Sequence, residues 1–341
     1  MATRDIVYNP VLPYSFRNIG NFGLPDFMFL DIGASGGVEQ HWLSLGDKFN
    51  AIGFDVIVEE VARLNSINQN PRIKYENYFV GFEGYEELLS QKLFADPIAS
   101  RTNDPQKRTS YERAWKAMNI NYTDTYFNNN QKTTLTDKRI SIDAYVEQHG
   151  IKDVDFIKID TDGHDYEVLL GAEKTLKSSV LGASIEVPFH GPAHPHANVF
   201  CNIDRFMRDL GFSLYVLDSY PCSKGALPAQ FTYKLPAQTI KGQIQWGDAI
   251  YFRDGGDITY SDKWKFDFDR TRLHKLCCLF EIAGLGDCAA EVLLHLRDTT
   301  EFKYEYNAML DLLTRGFAQS LLSYDNYIKA FDTDPTRLYP K

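Results

Sequence analysis

The 341-residue chain is predicted to form an α/β fold in which helices cover both faces of a mostly parallel sheet. Short apolar runs typical of buried strands alternate with segments of helical spacing through most of the chain. With 44% hydrophobic residues, the chain can bury one large core and a smaller appended unit. Acidic residues recur where the apolar runs end, and ligands of parallel sheets bind at the carboxyl ends of the strands. The sequence therefore predicts a binding site at that edge of the sheet.

The order of the elements follows from these patterns. Strands are predicted at residues 27–32, 51–54, 73–80, 156–159, 182–187 and 213–217. Helices are predicted at residues 38–45, 58–65, 85–94, 142–148, 166–175 and 199–210. Residues 1–25 are rich in proline and glycine, and they are predicted to form an N-terminal arm that lies over a domain at 26–255.

Residues 256–341 are predicted to form a separate helical unit. Apolar residues recur there at i, i+3 and i+4, which is the spacing of one buried helix face. The predicted helices span residues 272–283, 287–296, 301–314 and 318–330. We expect this unit to serve in partner docking or in dimerisation, for example of a homodimer through these helices.

A glycine turn follows the first predicted strand, which ends at Ile32 and has an acid, Asp31, near its tip. The turn has the sequence Gly-Ala-Ser-Gly-Gly at 33–37. Glycines adopt positive φ and carry no Cβ, so a ligand can lie against their backbone. The first N–H groups of a following helix are free to bind acceptor atoms. The alternative is a turn that only connects a strand to a helix.

The position of the acid distinguishes between two nucleotide-like ligands. A dinucleotide-binding turn has the pattern G-x-G-x-x-G, with its acid about 20 residues later. Here the pattern is G-x-x-G-G, and Asp31 stands two residues before the first glycine. A carboxylate there would repel a pyrophosphate but attract an ammonium group, and Asp55 at the end of the next apolar run could accept from ribose hydroxyls. Together they indicate S-adenosylmethionine rather than NAD. The predicted cofactor-binding residues are Asp31, Gly33, Ala34, Ser35, Gly36, Asp55, Val56, Tyr78, Phe79 and Val80, the last three for the adenine.

The segment 155–172 closely resembles the hallmark segment of the FkbM family of S-adenosylmethionine-dependent methyltransferases. Its matching parts are Lys158-Ile159-Asp160, the acid–glycine pair Asp162-Gly163, the acid Asp165, and Glu167-Val168-Leu169 before Gly171-Ala172. The segments 140–145, 184–187 and 246–252 resemble the family's neighbouring strands and its closing strand, so the resemblance covers about residues 26–254. It implies a class I, Rossmann-like methyltransferase with a mostly parallel seven-stranded sheet, which transfers a methyl group to an oxygen. The family often has Glu where this chain has Asp162.

Histidines supply the candidate base for such a transfer, because an alcohol must lose its proton as it attacks the methyl group. His164 follows the predicted strand 156–159, and the loop after the strand 182–187 contains His190, His194 and His196. We expect the base to be His164, His190 or His194, with Asp160 and Glu186 as orienting carboxylates. Two alternatives stay open, a metal site formed by the pattern His-x-x-x-His-x-His and ordinary loop histidines.

Two acids after the predicted strand 156–159 have alternative roles. Asp160 and Asp162 could hold Mg²⁺ through oxygen ligands. The preferred interpretation needs no metal. Asp160 then has a cofactor-side or catalytic role, Asp162 caps the helix that begins near His164, and Asp165 and Glu167 are first-turn acids that complement the helix dipole. Lys158 and Asp143 are interpreted as structural.

A polar insertion at 95–135 is predicted to act as a lid or substrate-binding element. Its basic and aromatic residues would suit a sugar that carries a phosphate group. The candidate substrate-binding residues are Arg101, Arg108, Tyr111, Arg113 and Trp115. The alternative is a surface excursion or an oligomer contact.

The composition excludes several classes of function. With a net charge of −10, the chain is a poor candidate for binding nucleic acid. Its five cysteines form no C-x-x-C pair, and no apolar run approaches 18 residues, so a cytoplasmic protein with reduced thiols and no membrane span is expected. Other classes of function stay open. One is a non-catalytic scaffold in glycan assembly. The other is an NAD-dependent sugar-modifying enzyme, for which the dinucleotide glycine pattern is absent.

Overall fold

The computed structural model describes residues 6–19, 22–90, 134–191, 194–222, 242–318 and 322–334. These residues fall into two compact units. The first unit contains the described residues of 29–38 and 51–253, and the second contains those of 4–28, 39–50 and 254–341. Among the helices of the described residues, none is both long enough and apolar enough to cross a lipid bilayer.

A seven-stranded sheet dominates the fold. Its strands are β1 (Phe27–Ile32), β2 (Phe49–Asp55), β3 (Ile73–Asn77), β6 (Phe156–Ile159), β7 (Gly182–Pro188), β8 (Phe212–Cys222) and β9 (Gln243–Arg253). Their order in the sheet is β3-β2-β1-β6-β7-β9-β8. The pairs β2–β3, β1–β6 and β6–β7 are parallel, whereas β9 runs antiparallel to both of its neighbours. A short parallel pair, β4 (Phe79–Val80) and β5 (Arg139–Ile140), forms a second sheet. The predicted mostly parallel seven-stranded sheet is confirmed.

Helices connect the strands as the predicted crossovers require. Those of the first unit are α2 (Val58–Ile67), α3 (Tyr85–Ser90), α4 (Ile142–Gln148), α5 (Asp165–Leu170), α6 (Glu173–Ser178) and α7 (Phe200–Asp209). The sheet between them is a hydrophobic core, since most residues of β1, β6 and β7 are buried. Burial on both faces explains why these strands read as continuous apolar runs rather than as alternating patterns.

The second unit contains the C-terminal helices. They are α8 (Tyr260–Trp264), α9 (Arg270–Ile282), α10 (Gly286–Thr299), α11 (Lys303–Ala318) and α12 (Tyr324–Thr333). A helix that was not predicted, α1 (Leu12–Asn18), lies within the proline-rich N-terminal segment of the same unit. The buried Glu281 carboxylate accepts hydrogen bonds from Val11 N and Leu12 N, each at 2.8 Å. The first N–H groups of α1 are thus capped by a residue about 270 positions away, which no local pattern reveals.

Four local predictions were wrong in detail. The helix expected at 38–45 is a 3₁₀ helix at Gln40–Lys48, with Gly46 at a φ of 62°. The strand expected at 73–80 is divided between the two sheets as β3 and β4. The helix expected at 166–175 breaks near Gly171, where a Cβ would overlap the carbonyl oxygen of Gly81. The last helix begins only at Tyr324, after the cap Ser323.

Candidate functional site

Four acids lie at the carboxyl edge of the sheet, as predicted. Asp31 is the next-to-last residue of β1, Asp55 is the last residue of β2, Asp160 follows β6 directly, and Glu186 lies near the end of β7. The four strands are consecutive in the sheet. The parallel topology therefore brings these carboxylates to one edge from positions more than 150 residues apart in the sequence.

Lys158 lies among these acids. It is the register partner of Asp31 across the β1–β6 pair. Its Nζ is 3.3 Å from Asp31 Oδ1 and 3.4 Å from Asp160 Oδ2, and it donates to Gly33 O at 3.1 Å. Lys158, which the sequence-based interpretation called structural, therefore links two of the acids to the glycine turn. A lysine within the otherwise apolar strand Phe156–Ile159 was the available signal.

The glycine turn packs closely against the loop after β6. Gly33 has a φ of 83°, and a Cβ on it would overlap the carbonyl oxygen of Asp160. Gly33 N and Ala34 N both donate to Phe54 O at 2.9 Å, and Gly36 N donates to Glu60 Oε1 at 2.9 Å. These three N–H groups thus bond within the protein. Ser35 and Gly36 are exposed, and no atom lies within 4 Å of the Cβ position of Gly36, so a ligand can approach this backbone closely.

Asp55 is a buried carboxylate at the end of β2. Its Oδ1 accepts a hydrogen bond from Ile57 N at 2.8 Å, just before α2 begins. Burial raises the pKa of Asp55, and the nearby Glu60 carboxylate adds to this effect. Val56, the next residue, accepts from Thr136 N through its carbonyl at 2.9 Å. Hydrogen bonds at Val56 and at Ile57 therefore hold the chain in place directly after β2.

The predicted adenine contacts, Tyr78, Phe79 and Val80, lie at and just before the strand β4. The Phe79 ring meets the ring of His164 edge-on, with 5.0 Å between the centroids. The Arg139 guanidinium lies 4.2 Å from the centroid of Phe79. Val80 is buried, while Tyr78 and Phe79 are half-buried. Phe79 thus borders the loop that carries His164, whereas the Tyr78 ring lies against Tyr145.

Asp160, Asp162 and Glu186 form a group in which one oxygen from each carboxylate lies within 4.8 Å of the others. Within the described part of the chain, no other set of three acids, histidines or cysteines is arranged to hold a metal ion. Burial, followed by the charge of Asp160, raises the pKa of Glu186 to about 9 and that of Asp162 to about 6. Burial and the neighbouring carboxylates therefore favour the protonated form of Glu186, which can donate a hydrogen bond. The same three groups, once deprotonated, could hold a divalent cation.

The prediction that Asp162 caps the following helix was wrong. The cap position of α5 is His164, whose side chain makes no capping bond, and Asp162 has a φ of 54°. The loop is instead held by the fully buried Asp165, whose Oδ1 accepts from Thr161 N and Thr161 Oγ1, both at 2.9 Å. Asn198 Nδ2 donates to the other oxygen of Asp165 at 2.9 Å. Asp165 therefore organises the loop, beyond its expected interaction with the helix dipole.

The three candidate bases differ in their hydrogen bonds. His164 Nδ1 is 2.9 Å from Oε2 of Glu167, and this bond is the largest cause of the raised pKa of His164. His190 Nε2 donates to Ile244 O at 2.6 Å. His194 Nδ1 accepts from His196 N at 3.1 Å. Glu167, which the sequence-based interpretation assigned only to the helix dipole, thus has a direct partner among the candidate bases.

Two further predictions concern the insertion at 95–135 and the loop histidines. The candidate substrate-binding residues Arg101, Arg108, Tyr111, Arg113 and Trp115 lie outside the described residues. The predicted histidine metal site is not formed within the described ranges. The one group there that could hold a metal ion consists of Asp160, Asp162 and Glu186.

Comparisons with known proteins identify one family and a set of similar folds. The model of the methyltransferase FkbM domain family matches residues 31–214, which is more than half of the chain. No curated protein matches the sequence.

Similar solved structures include three methyltransferases. Precorrin-6y C5,15-methyltransferase from Geobacter metallireducens has 9% identity and a TM-score of 0.31, over 71% of this chain and 86% of that one. Magnesium protoporphyrin IX methyltransferase from Synechocystis has 8% identity and a TM-score of 0.30, over 71% and 76%. A TehB-like methyltransferase from Corynebacterium glutamicum has 9% identity and a TM-score of 0.30, over 71% and 86%.

Proposed function

Because the chain belongs to the FkbM methyltransferase family, we propose that it transfers the methyl group of S-adenosylmethionine to a hydroxyl oxygen. The proposed acceptor is a sugar, a glycan or another polar metabolite. A loop histidine is the proposed base.

One observation supports the cofactor above the others. Asp31 and Asp55 lie at the ends of the neighbouring strands β1 and β2, and the exposed backbone of Ser35 and Gly36 follows the first of them. A carboxylate at each strand end suits an ammonium group on one side and ribose hydroxyls on the other. The open Cβ position of Gly36 leaves room for the connecting atoms. These residues therefore fit the methionine and ribose parts of S-adenosylmethionine.

Lys158 refines this assignment. Its ammonium lies between Asp31 and Asp160, so it partly balances their charge and holds both carboxylates in position. Asp31 can share its oxygens between Lys158 and a ligand ammonium, since a carboxylate accepts several hydrogen bonds. We propose that Lys158 orients Asp31 and ties the glycine turn to β6 through Gly33 O.

When bound, the cofactor supplies an electrophilic methyl group on a sulfonium. The acceptor oxygen would form the new C–O bond as the C–S bond breaks, and the base of this chain would take the proton of the hydroxyl. We propose that His164 takes this proton on Nε2, because its Nδ1 is bonded to Glu167. Alignment of the reacting atoms and general base catalysis are the two main contributions expected of the protein. Glu186 and the neighbouring Asp160 are the proposed carboxyl groups that orient the acceptor hydroxyl.

Calorimetric titration with S-adenosylmethionine, S-adenosylhomocysteine and NAD, with and without Mg²⁺, tests the proposed cofactor. We expect both adenosyl ligands to bind and NAD to show no binding. The reaction is proposed to need no metal, so Mg²⁺ should leave the affinity unchanged; a large gain would instead assign Asp160, Asp162 and Glu186 to the metal. Absence of binding by both adenosyl ligands would contradict the proposed function and favour a non-catalytic scaffold.

The substitution Asp31→Asn tests the ammonium contact directly. Loss of a hydrogen bond to a charged group costs about 1.5–3 kcal/mol, so the affinity for S-adenosylmethionine should fall about 10- to 100-fold. The matched control is Glu147→Gln, which removes one charge from an exposed position on α4. Equal affinities in the two variants would exclude Asp31 from the cofactor site.

A screen of hydroxyl-bearing acceptors tests the reaction itself. The product of an accepted substrate should gain the mass of one CH₂ group in the presence of S-adenosylmethionine. With that substrate, His164→Gln should lower kcat by about 10²–10⁴-fold while the cofactor still binds. An unchanged kcat would exclude His164 as the base and leave His190 and His194 as candidates.

A further inference from the structure

We infer that Glu167 is a positioning residue for His164, which holds the imidazole with its proton on Nδ1 and its lone pair on Nε2. This inference rests on the proposed function where it concerns catalysis, but the contact itself is a property of the folded chain. His164 Nδ1 and Glu167 Oε2 are separated by 2.9 Å. An ionised carboxylate only accepts hydrogen bonds. A neutral imidazole that makes this contact must therefore carry its proton on Nδ1 and donate it to Glu167.

The Glu167 side chain is fixed from its other side. Only 4% of Glu167 is exposed, and its Oε1 accepts from Phe82 N at 3.2 Å. The residue before Phe82 is Gly81, where a Cβ would overlap the Glu167 carboxylate. The chain just after β4 therefore forms a cradle for this carboxylate that only glycine allows. The Glu167 carboxylate that contacts His164 is therefore held in place by Phe82 N and fits in the space that Gly81 leaves.

The surroundings of His164 favour a single ring orientation. Its ring packs edge-on against Phe79, and about half of the His164 side chain is exposed. The charged groups that face it are Glu167 and Asp165 from its own loop and helix, and Arg139 from β5. With Nδ1 bonded to Glu167, the basic atom Nε2 is the one left for a substrate proton. This is the arrangement that a general base requires, in which a third group orients the base.

His194 provides an internal contrast. Its Nδ1 accepts a hydrogen bond from the backbone N–H of His196, so its neutral ring carries the proton on Nε2. His164 and His194 should therefore show opposite tautomers in the same molecule. A spectrum of the whole protein can compare the two.

Nitrogen-15 NMR of the full chain labelled at histidine measures these tautomers without a substrate. The resonances are assigned with His164→Gln and His194→Gln, and spectra are recorded at a pH where the rings are neutral. We expect His164 to carry its proton on Nδ1 and His194 on Nε2. In Glu167→Gln, whose amide can also donate, we expect a shift of His164 toward the other tautomer, while His194 keeps its own.

Two results would overturn the inference. One is a wild-type His164 that carries its proton on Nε2, and this result does not depend on how any variant folds. The other is a His164 tautomer in Glu167→Gln that matches the wild type, with His194 confirming that the variant is folded.

Kinetics then separates the inference from the proposed function. With an accepted substrate, Glu167→Gln should lower kcat about tenfold or more and leave KM and the cofactor affinity nearly unchanged. A changed tautomer with an unchanged kcat would overturn the base role of His164 and still support positioning by Glu167.

Discussion

At the scale of single residues, two glycines of the same turn have the same backbone conformation but different surroundings. Gly33 and Gly36 both have a φ of 83°, which L side chains rarely adopt. A Cβ on Gly33 would overlap the Asp160 carbonyl oxygen, whereas no atom lies within 4 Å of a Cβ on Gly36. A side chain would therefore strain the backbone at either position, but it would clash with a neighbouring segment only at Gly33.

Alanine at each position should separate these two effects. Gly36→Ala should destabilise the chain by about 1–2 kcal/mol, the cost of the left-handed conformation. Gly33→Ala should cost about 3 kcal/mol or more, because the loop after β6 must move as well. Urea unfolding measures the stabilities, and titration with S-adenosylmethionine measures the effect on the site. Equal losses of stability would show that the contact with Asp160 is relaxed at little cost.

At the scale of elements, Arg253 joins three segments at the edge of the sheet where β7 begins, opposite the edge with the acids. It is the last residue of β9, is 1% exposed, and lies 4.3 Å from the centroid of the Phe212 ring. Its guanidinium donates to the carbonyls of Leu176 at 2.6 Å, Val180 at 2.8 Å and Leu210 at 3.1 Å. Leu176 and Leu210 lie at the C-terminal ends of α6 and α7, whose last carbonyls have no partner within the helix. One buried cation thus satisfies acceptors from two helices and a loop.

The substitution Arg253→Gln should destabilise the first unit strongly. A buried acceptor that loses its partner costs about 1–3 kcal/mol, and glutamine can reach at most some of the three, so a loss of about 3 kcal/mol or more is expected in urea unfolding. The control is Arg208→Gln, which removes an exposed ion pair with Asp204 and should cost about 1 kcal/mol or less. Similar losses in both variants would show that the three carbonyls find other partners.

At the scale of the whole molecule, two buried groups have opposite effects on how the stability of the second unit depends on pH. Burial raises the pKa of Glu281 to about 7, although Val11 N and Leu12 N donate to its carboxylate. Burial, with the nearby Arg270, lowers the pKa of His274 to about 4. The His274 ring stacks on Phe16 at 4.3 Å, and its Nε2 lies 2.9 Å from the Tyr306 hydroxyl.

The signs of the two contributions follow from proton linkage. The pKa of Glu281 is higher in the folded state, so its contribution to stability is full at low pH and is lost as the pH rises toward 7. The pKa of His274 is lower in the folded state, so its contribution is full at neutral pH and is lost as the pH falls toward 4. Each changes stability by about 1.4 kcal/mol per pH unit where it acts alone, and the two nearly cancel between about pH 4.5 and 6.5.

Glu281→Gln should expose the histidine contribution. In this variant the stability of α9 should rise by about 1.4 kcal/mol per pH unit over that range, whereas in the wild type it should be nearly constant. Hydrogen exchange of the α9 amides, corrected for the intrinsic pH dependence of exchange, measures this slope. A flat profile in Glu281→Gln would mean that His274 is not held neutral in the folded chain.

Much of the fold could be predicted from the sequence because its strands are buried on both faces. The continuous apolar runs of β1, β2, β6 and β7 identify these strands within about two residues. The weaker predictions concern segments whose boundaries depend on distant contacts. Gly171, at the break between α5 and α6, packs closely against the Gly81 carbonyl, and the first N–H groups of α1 bond to Glu281. Local periodicity contains no information about either partner.

The sequence by itself determined the order of strands and helices, the acids at the strand ends and the membership of a methyltransferase family. These properties reside in short patterns, whose periodicity and spacing can be read without knowledge of the fold. Only the tertiary structure decided the partners of the site residues, such as Asp31 with Lys158 and Phe82 with Glu167. Those partners are separated by 85 residues or more, and only the folded chain brings them together. Their contacts depend on differences in distance of a few tenths of an ångström, which packing sets and local sequence does not encode.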